Sequence, residues 1–426
     1  MPITAPRLTM ASMTTSIRPR PRTLALAALA LAAGLGAAAC APPAGVPAAP
    51  APAAAGRSLL RVDVGATVRQ VGLSTAGRVA AVLAGDRAVR VDTSTGATTD
   101  LGAAGAGARV DLSGDGARTF WSSAGTLNVA EATGTRVLAG GVARWAAAGD
   151  GSTVVVAGTA VLDPADTDGA TSLYLLDVSS GTARFVRPAP ATAFTLSVSD
   201  NGGVVVVAAE AAPDPACQLA CPQGVADVLD VATGSWASHP GARAGSEVSG
   251  DGSTLWLERE HCRYFDDCAD SLTTVDRATG VETVVEGPDG ASFGPRWLSA
   301  DGHRGVYRYA ARGMAAFDAL VQLAAADGSS RATVAVEASG PGDYGWALFG
   351  QAAPQGLSDD GTRVLLRQPN GAGSDLRLGR ADGTTVFVAD VAGHEPAAGD
   401  AAAALSGDGT TVAVPAGTWL TVESDR

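Results

Sequence analysis

Four cysteines in two close pairs are the residues of this sequence whose type and spacing most directly suggest chemistry. Cys217 is followed by Cys221, and Cys262 by Cys268. In an oxidising compartment the natural chemistry of such thiols is disulfide formation. We therefore predict disulfides, either by local pairing within each loop or by two bridges between the loops. Zinc is the alternative, although neither spacing matches the Cys-x-x-Cys pattern of zinc ribbons.

A second group of candidates is rich in carboxylate oxygens. Asp163, Asp166 and Asp168 stand close together, and a similar acidic run lies at 266–270. Closely spaced carboxylates can hold calcium. Neither run completes a known calcium-binding loop, so solvated turn acids are the alternative interpretation. We predict no other cofactor.

The fifth cysteine, Cys40, ends a segment typical of export. Arginines at 18–22 precede an apolar run at 24–35, and small residues follow. Ala-Ala-Ala-Cys at 37–40 resembles the lipobox of bacterial lipoproteins, although alanine holds the place usually taken by leucine. The resemblance implies a lipoprotein-type signal peptide at 1–39 and acylation of Cys40, which would anchor the protein to the outer side of the cytoplasmic membrane. Cleavage at an ordinary Ala-x-Ala site, followed by secretion, is the alternative.

Composition narrows the function further. Residues 40–57 are almost only Ala, Pro and Gly, so they predict an extended tether. The net charge of -13 argues against a nucleic-acid partner, because an acidic surface repels phosphate backbones. The sequence has no lysine, which excludes Schiff-base chemistry and phosphate loops that require a lysine.

These candidates must be positioned by a repeated unit that fills residues 58–426. A Ser-x-Asp-Gly turn followed by a short apolar run occurs in eight variants, with a spacing of 35 to 59 residues between turn glycines. That spacing is typical of propeller blades. Asp and Ser oxygens can hold backbone N–H groups in such a turn, and glycine takes the positive φ. We assign this structural role to Asp115, Gly116, Asp150, Gly151, Asp251, Gly252, Asp301, Gly302, Asp360, Gly361, Asp408 and Gly409.

A second signal completes the unit. A strand ending in Asp-x-x-Thr-Gly, as at 230–234, marks a hairpin between a third and a fourth strand. The last copy lacks its fourth strand, whereas the strand at 58–63 has no blade of its own. The sequence therefore predicts an all-β fold, a β-propeller of eight four-stranded blades closed by pairing of the N- and C-terminal strands. Seven blades is the alternative if one weak copy is accidental.

The repeat resembles that of the TolB-type propellers, a WD-like family whose signature is a Ser-Pro-Asp-Gly turn before an apolar strand. Every copy here lacks the proline. The resemblance implies a binding platform at the cell envelope, with a protein or glycan partner.

Insertions indicate where such a partner would bind. The second and third strands of blades 3–6 are joined by longer loops than those of blades 1 and 2, and these loops emerge on one face. Long loops on a rigid scaffold commonly carry binding sites, although tolerated insertion is the alternative. The candidate binding face contains the aromatic residues Tyr264, Phe265, Tyr344, Trp346 and Phe349.

No catalytic constellation is apparent in the sequence. The four histidines are scattered, and no Gly-x-Ser-x-Gly elbow occurs. Residues 249–256 resemble the Asp box of sialidases and residues 229–236 the repeat of quinoprotein dehydrogenases, each in one blade. We predict a protein that is not an enzyme, with a quinoprotein-like or glycan-cleaving enzyme as the alternative. A substrate-binding lipoprotein, with a deep central pocket of convergent polar groups, is a second alternative.

Overall fold

The structure, a computed structural model, describes residues 57–105, 107–167, 169–210, 224–262, 268–287, 292–310, 319–337, 353–369, 374–382, 384–391 and 403–425. The predicted signal peptide, Cys40 and nearly all of the predicted tether lie outside these residues. In the described part, no helix is long and apolar enough to cross a membrane.

Eight four-stranded antiparallel sheets, the blades, make up the described chain. The first strand, β1 (Arg57–Asp63), precedes blade 1, which contains β2 (Val68–Leu73), β3 (Val79–Ala84), β4 (Arg87–Asp92) and β5 (Thr98–Ala103). Blade 2 contains β6 (Val110–Leu112), β7 (Thr119–Ser123), β8 (Thr126–Glu131) and β9 (Gly134–Ala139). Blade 3 contains β10 (Val142–Ala147), β11 (Thr153–Gly158), β12 (Ser172–Asp177) and β13 (Ala183–Pro188). Blade 4 contains β14 (Phe194–Val198), β15 (Val204–Ala209), β16 (Val225–Asp230) and β17 (Trp236–Pro240).

The other four blades follow in chain order. Blade 5 contains β18 (Glu247–Val248), β19 (Thr254–Cys262), β20 (Cys268–Asp276) and β21 (Glu282–Glu286). Blade 6 contains β22 (Ser292–Leu298), β23 (Arg304–Ala310), β24 (Ala319–Ala325) and β25 (Arg331–Glu337). Blade 7 contains β26 (Ala353–Leu357), β27 (Arg363–Pro369), β28 (Ser374–Arg380) and β29 (Thr385–Val391). Blade 8 contains β30 (Ala404–Leu405), β31 (Thr411–Ala416), β32 (Trp419–Asp425) and β1.

The hydrophobic core lies between neighbouring blades. The second strand of a blade is a continuous apolar run that is buried on both faces, as in β15, where all six residues are buried. Its Val204 and Val206 pack in one cluster with Val248, Leu255 and Leu257 of blade 5. Burial of each such side chain contributes about 1.5–3 kcal/mol, so each blade is stabilised by its neighbours as well as by its own ladder.

The ring is closed as the sequence predicts. Strand β1 pairs with β32 along its whole length, from Arg57 opposite Asp425 to Asp63 opposite Trp419. The Arg61 guanidinium also lies 4.5 Å from the centre of the Trp419 ring. The N-terminal strand is therefore the outermost strand of blade 8, and the prediction of eight blades rather than seven is confirmed.

Antiparallel order gives the disc two different faces. Turns between the first and second strands, and hairpins between the third and fourth, emerge on one face, here called the turn face. Loops between the second and third strands, and connections between blades, emerge on the other, here called the loop face. The first strands of the blades surround a central channel that joins the two faces.

Candidate functional site

The Ser-x-Asp-Gly turns close the inner end of each blade on the turn face. In blade 2, Ser113 Oγ donates to Asp115 Oδ1 at 2.6 Å, and the same oxygen of Asp115 accepts Ala117 N at 2.8 Å. Gly116 N donates to the Ser113 carbonyl at 2.8 Å with a φ of 70°, a conformation that favours glycine. The hydrogen bond from the Ser113 hydroxyl is the main reason that the pKa of Asp115 is lowered.

Main-chain hydrogen bonds join these turns into a complete ring around the channel. Each turn is bonded to the next, including the turn of blade 8 to that of blade 1. The N-to-O pairs, at 2.6 to 2.9 Å, are Thr75 to Gly114, Gly114 to Gly149, Asp150 to Asp200, Asp200 to Gly250, Asp251 to Ala300, Ala300 to Asp359, Asp359 to Gly407, and Asp408 to Thr75. This turn ring closes the propeller a second time, independently of the pairing of β1 with β32.

Two carboxylates lie against neighbouring turns of the turn ring. A Cβ atom on Gly149 or Gly250 would collide with the carboxylate of Asp200, which lies between these neighbouring turns. The carboxylate of Asp359 occupies the corresponding space beside Gly407. Burial raises the pKa of Asp200, and the nearby Asp359 carboxylate raises it further. Burial also raises the pKa of Asp359, against the hydrogen bond from the Thr75 side chain.

Removing the charge of Asp200 is therefore expected to stabilise the fold at neutral pH. Because the folded-state pKa of Asp200 lies above the ordinary value of 3.8, its ionisation costs stability as the pH rises above that value. Asp200→Asn should raise the melting temperature at about pH 7, and the gain should shrink as the pH falls towards 3.8 and vanish well below that value, where the carboxyl is protonated in both states.

Asp115→Asn is the matched control for this prediction. The pKa of Asp115 is lowered, so its charged form stabilises the fold above the ordinary value, and the variant should lose melting temperature at neutral pH. Asparagine already occupies the equivalent place in blade 4, where Asn201 Oδ1 accepts Ser199 Oγ at 2.7 Å and Gly203 N at 2.9 Å. Shifts of the same sign in both variants would contradict the assignment.

A cavity of about 570 Å³ opens at the other end of the channel, on the loop face. It is lined by the connection between blades 1 and 2, by the β7–β8 loop, by β10 and β14, and by the connection between blades 4 and 5. The volume falls within the range of small-molecule sites. We call it the channel cavity.

The charged groups of the cavity are two arginines and one glutamate. Arg109 and Arg144 are exposed, and Glu247 belongs to the same lining at the start of β18. The Arg109 guanidinium lies 5.7 Å from the centre of the Trp145 ring, and that of Arg144 lies 5.2 Å from the centre of the Phe194 ring. The aromatic rings thus hold both cations against the wall of the channel.

Behind Glu247 lies a buried ion pair. Arg296 donates to Glu258 Oε2 at 3.0 Å and also to the carbonyl oxygen of Gly245, and the Arg296 side chain is only 5% exposed. Burial raises the pKa of the Glu247 carboxyl; Arg296 lowers it and Glu258 raises it. This arrangement weakens the negative charge of Glu247 relative to the two cavity arginines.

The cysteines predicted to form disulfides are described only in part. Cys217 and Cys221 lie outside the described residues. The hairpin of blade 5 extends further than the sequence suggested, so that Cys262 is the last residue of β19, Cys268 is the first residue of β20, and the two are partners in the strand register. Direct opposition in an antiparallel pair is compatible with the Cα separation of a disulfide.

The aspartates predicted as calcium candidates are held by protein donors where they are described. Asp163 accepts Ala165 N at 2.9 Å and Phe185 N at 2.7 Å, and Asp166 accepts the Tyr174 hydroxyl. Asp168 lies outside the described residues. No group of three or more His, Cys, Asp or Glu side chains in the described part is arranged to hold a metal ion.

The aromatic residues of the predicted binding face, Tyr264, Phe265, Tyr344, Trp346 and Phe349, all lie outside the described residues. The cavity residues, by contrast, were missed by the sequence analysis. A signal was available, because Arg109, Arg144 and Thr195 each stand four residues before the first residue of their turn. That position places each of them on a first strand, or just before one, at the same level of the channel.

Comparison with known proteins supports the fold. No family model and no curated protein matches the chain. Dipeptidyl peptidase 4 from Porphyromonas gingivalis is similar in structure, with 10% identity, a TM-score of 0.53, and coverage of 82% of this chain and 56% of that one. TolB from Acinetobacter baumannii matches with 14% identity, a TM-score of 0.35, and coverage of 66% and 65%. The chain has a β-propeller fold.

A third neighbour is an oligogalacturonate lyase from Vibrio parahaemolyticus, with 11% identity, a TM-score of 0.47, and coverage of 85% of this chain and 91% of that one. The β-propeller predicted from the repeat is confirmed by the sheet topology, and at these identities the likeness to solved structures concerns the fold alone. The chain also spans less than two thirds of the TolB and peptidase chains. The function must therefore be argued from this chain's own residues.

Proposed function

We propose that this protein is an exported, lipid-anchored binding platform whose ligand enters the channel cavity from the loop face. The observation that carries the proposal is the cavity itself. It is concave and is lined by polar groups of blades 2 to 5, held on strands and on the connections between blades. A site built on first strands is rigid, because each of these strands is packed between two blades.

The proposal joins this site to the long loops of blades 3–6. These loops emerge on the face where the cavity opens, so a partner at the cell envelope could contact the loops and the cavity together. The partner would be a protein or a glycan, in keeping with the acidic surface, which disfavours nucleic acid. The Ala/Pro-rich tether would hold the loop face away from the membrane.

Binding without chemical turnover is the activity that the cavity supports best. Ser122, Thr195 and Ser197 supply hydroxyl groups, but each accepts a main-chain N–H, and in the described lining none is hydrogen-bonded to a histidine or carboxylate that would activate it as a nucleophile. We therefore propose recognition rather than catalysis.

Lipid anchoring is tested by intact mass and membrane fractionation in a bacterium that processes lipoproteins. The native chain should be membrane-bound and should carry diacylglyceryl mass, and Cys40→Ala should lose both properties. A soluble, unacylated product of the native chain would contradict lipid anchoring and favour plain secretion.

The proposed local disulfides are tested by alkylation before and after reduction. Paired Cys262 and Cys268 should be alkylated only after reduction, and peptide mapping should find them joined to one another. A Cys221→Ser variant should leave this linkage unchanged. Peptides that join one loop to the other would contradict local pairing.

Site-specific photocrosslinking in the anchored protein tests the binding function. A benzophenone side chain at position 143, exposed in the cavity, should form adducts with an envelope component. The same group at position 76, exposed on the turn face, should not. Equal labelling from the two positions, or none from position 143, would overturn the assignment of the cavity as the binding site.

A further inference from the structure

Three hydroxyl groups in the lining of the channel cavity accept hydrogen bonds from the protein main chain. Ser122 Oγ accepts Arg109 N at 3.0 Å, Thr195 Oγ1 accepts Gly245 N at 3.1 Å, and Ser197 Oγ accepts a main-chain N–H at 3.4 Å. Each hydroxyl thus uses its oxygen on the protein. Its own O–H is left to donate to a ligand.

The charged groups of the lining also favour a ligand with hydrogen-bond acceptors. Arg109 and Arg144 form no ion pair among the described residues, and the one carboxyl of the lining, Glu247, is biased towards its neutral form by burial. Asp111, close to Arg109, is likewise biased towards its neutral form by burial. The cavity is therefore a positive concavity in a protein whose net charge is -13.

We infer that the channel cavity binds a small ligand bearing an oxyanion, a carboxylate or phosphate, held by Arg109 and Arg144. This inference rests on the proposed binding function and names its ligand class. A guanidinium presents paired N–H donors that match the oxygens of either group. The hydroxyls of Ser122, Thr195 and Ser197 would take further acceptors on the ligand body, such as carbonyl or sugar oxygens.

Calorimetric titration at low ionic strength with matched probes tests the inference. The charged probes are N-acetyl-trialanine, glucuronate and glucose 6-phosphate. Their neutral counterparts are the C-terminal amide of the peptide and, for both sugars, methyl glucoside. At least one charged probe should bind about tenfold more tightly than its neutral counterpart, and binding should weaken as salt is added. The preferred charged probe distinguishes a peptide carboxylate, a sugar acid and a sugar phosphate.

Four variants then assign the binding to the cavity. Arg109→Gln and Arg144→Gln should each weaken binding of the preferred probe about tenfold. Glu247→Gln should tighten it modestly, because it removes the negative charge that the Glu247 carboxyl retains, and this gain would not arise if the residues acted only on stability. Arg78→Gln removes one exposed arginine from the turn face and should leave the affinity unchanged.

Neutral probes binding as tightly as charged ones, or binding that is insensitive to Arg109 and Arg144, would overturn the inference. Failure of every charged probe would overturn it as well. The proposed function would survive those results if position 143 still formed specific adducts in the membrane. Loss of the adducts would remove the function and the ligand class together.

Discussion

Val62→Asn should weaken the closure of the ring and lower the free energy of unfolding by about 2–4 kcal/mol. Val62 is 5% exposed and lies in β1 opposite Leu420, in a cluster shared by blades 8 and 1. An amide there would lose the apolar contacts of valine and would be buried in an apolar cluster that offers its polar atoms no side-chain hydrogen-bond partner. Because β1 is the outermost strand of blade 8, its weakening should also release the N-terminal strand.

Denaturant unfolding followed by tryptophan fluorescence measures the first effect, and limited proteolysis within residues 57–63 measures the second. Leu59→Asn is the matched control, because Leu59 lies on the same strand but is 67% exposed. The control should change the free energy of unfolding by no more than about 0.5 kcal/mol and should keep the strand protected. Similar losses in the two variants would contradict the assignment of Val62 to the closing core.

Trp256→Ala should cost about 3–5 kcal/mol, the range for removal of a large buried aromatic side chain. Trp256 is fully buried in a cluster with Leu272 and Tyr307, and its Nε1 donates to the carbonyl oxygen of Gly302 at 3.3 Å. That contact links the core of blade 5 to a turn in the turn ring. The substitution should therefore loosen the ring at blade 6 as well as empty the core.

A double-mutant cycle with Gly305 sharpens this second prediction. A Cβ atom on Gly305 would lie 2.7 Å from the Trp256 ring, so Gly305→Ala should destabilise the native chain. In the Trp256→Ala background the same methyl group should be tolerated or stabilising, because it fills space left by the ring. Trp236→Ala, which removes a half-buried tryptophan, is the control and should not change the effect of Gly305→Ala. Additive effects of Trp256→Ala and Gly305→Ala would contradict the packing.

The propeller was predictable because its signals are local. The Ser-x-Asp-Gly turn satisfies its own backbone through neighbouring side chains, as in Ser113 and Asp115, so the motif is visible within a few residues. The apolar run of β15 marks a strand buried on both faces. The missing fourth strand of the last blade and the unpaired strand at the start were enough to predict the closure.

The candidate site was not predictable in the same way. Arg109, Arg144 and Glu247 come from three different blades. Arg109 and Arg144 share a position four residues before their turns, but Glu247 does not, and no local motif indicates that the three line one cavity. The aspartates that the sequence singled out as calcium candidates accept hydrogen bonds from protein groups where they are described. Asp163 and Asp166, for example, accept hydrogen bonds from Phe185 N and the Tyr174 hydroxyl within their own blade.

The turn ring likewise combines features that the sequence predicts with features that only the tertiary structure shows. Glycine at positions 149 and 250 appears in the sequence as ordinary turn composition, yet each is required because the Asp200 carboxylate of the neighbouring blade occupies the space of a Cβ atom. The sequence by itself determined the repeat, the number of blades and their closure, because these depend on hydrogen bonds and burial patterns within one blade. Only the tertiary structure decided the turn ring and the channel cavity, because both are made by bringing the same position of successive blades around one axis.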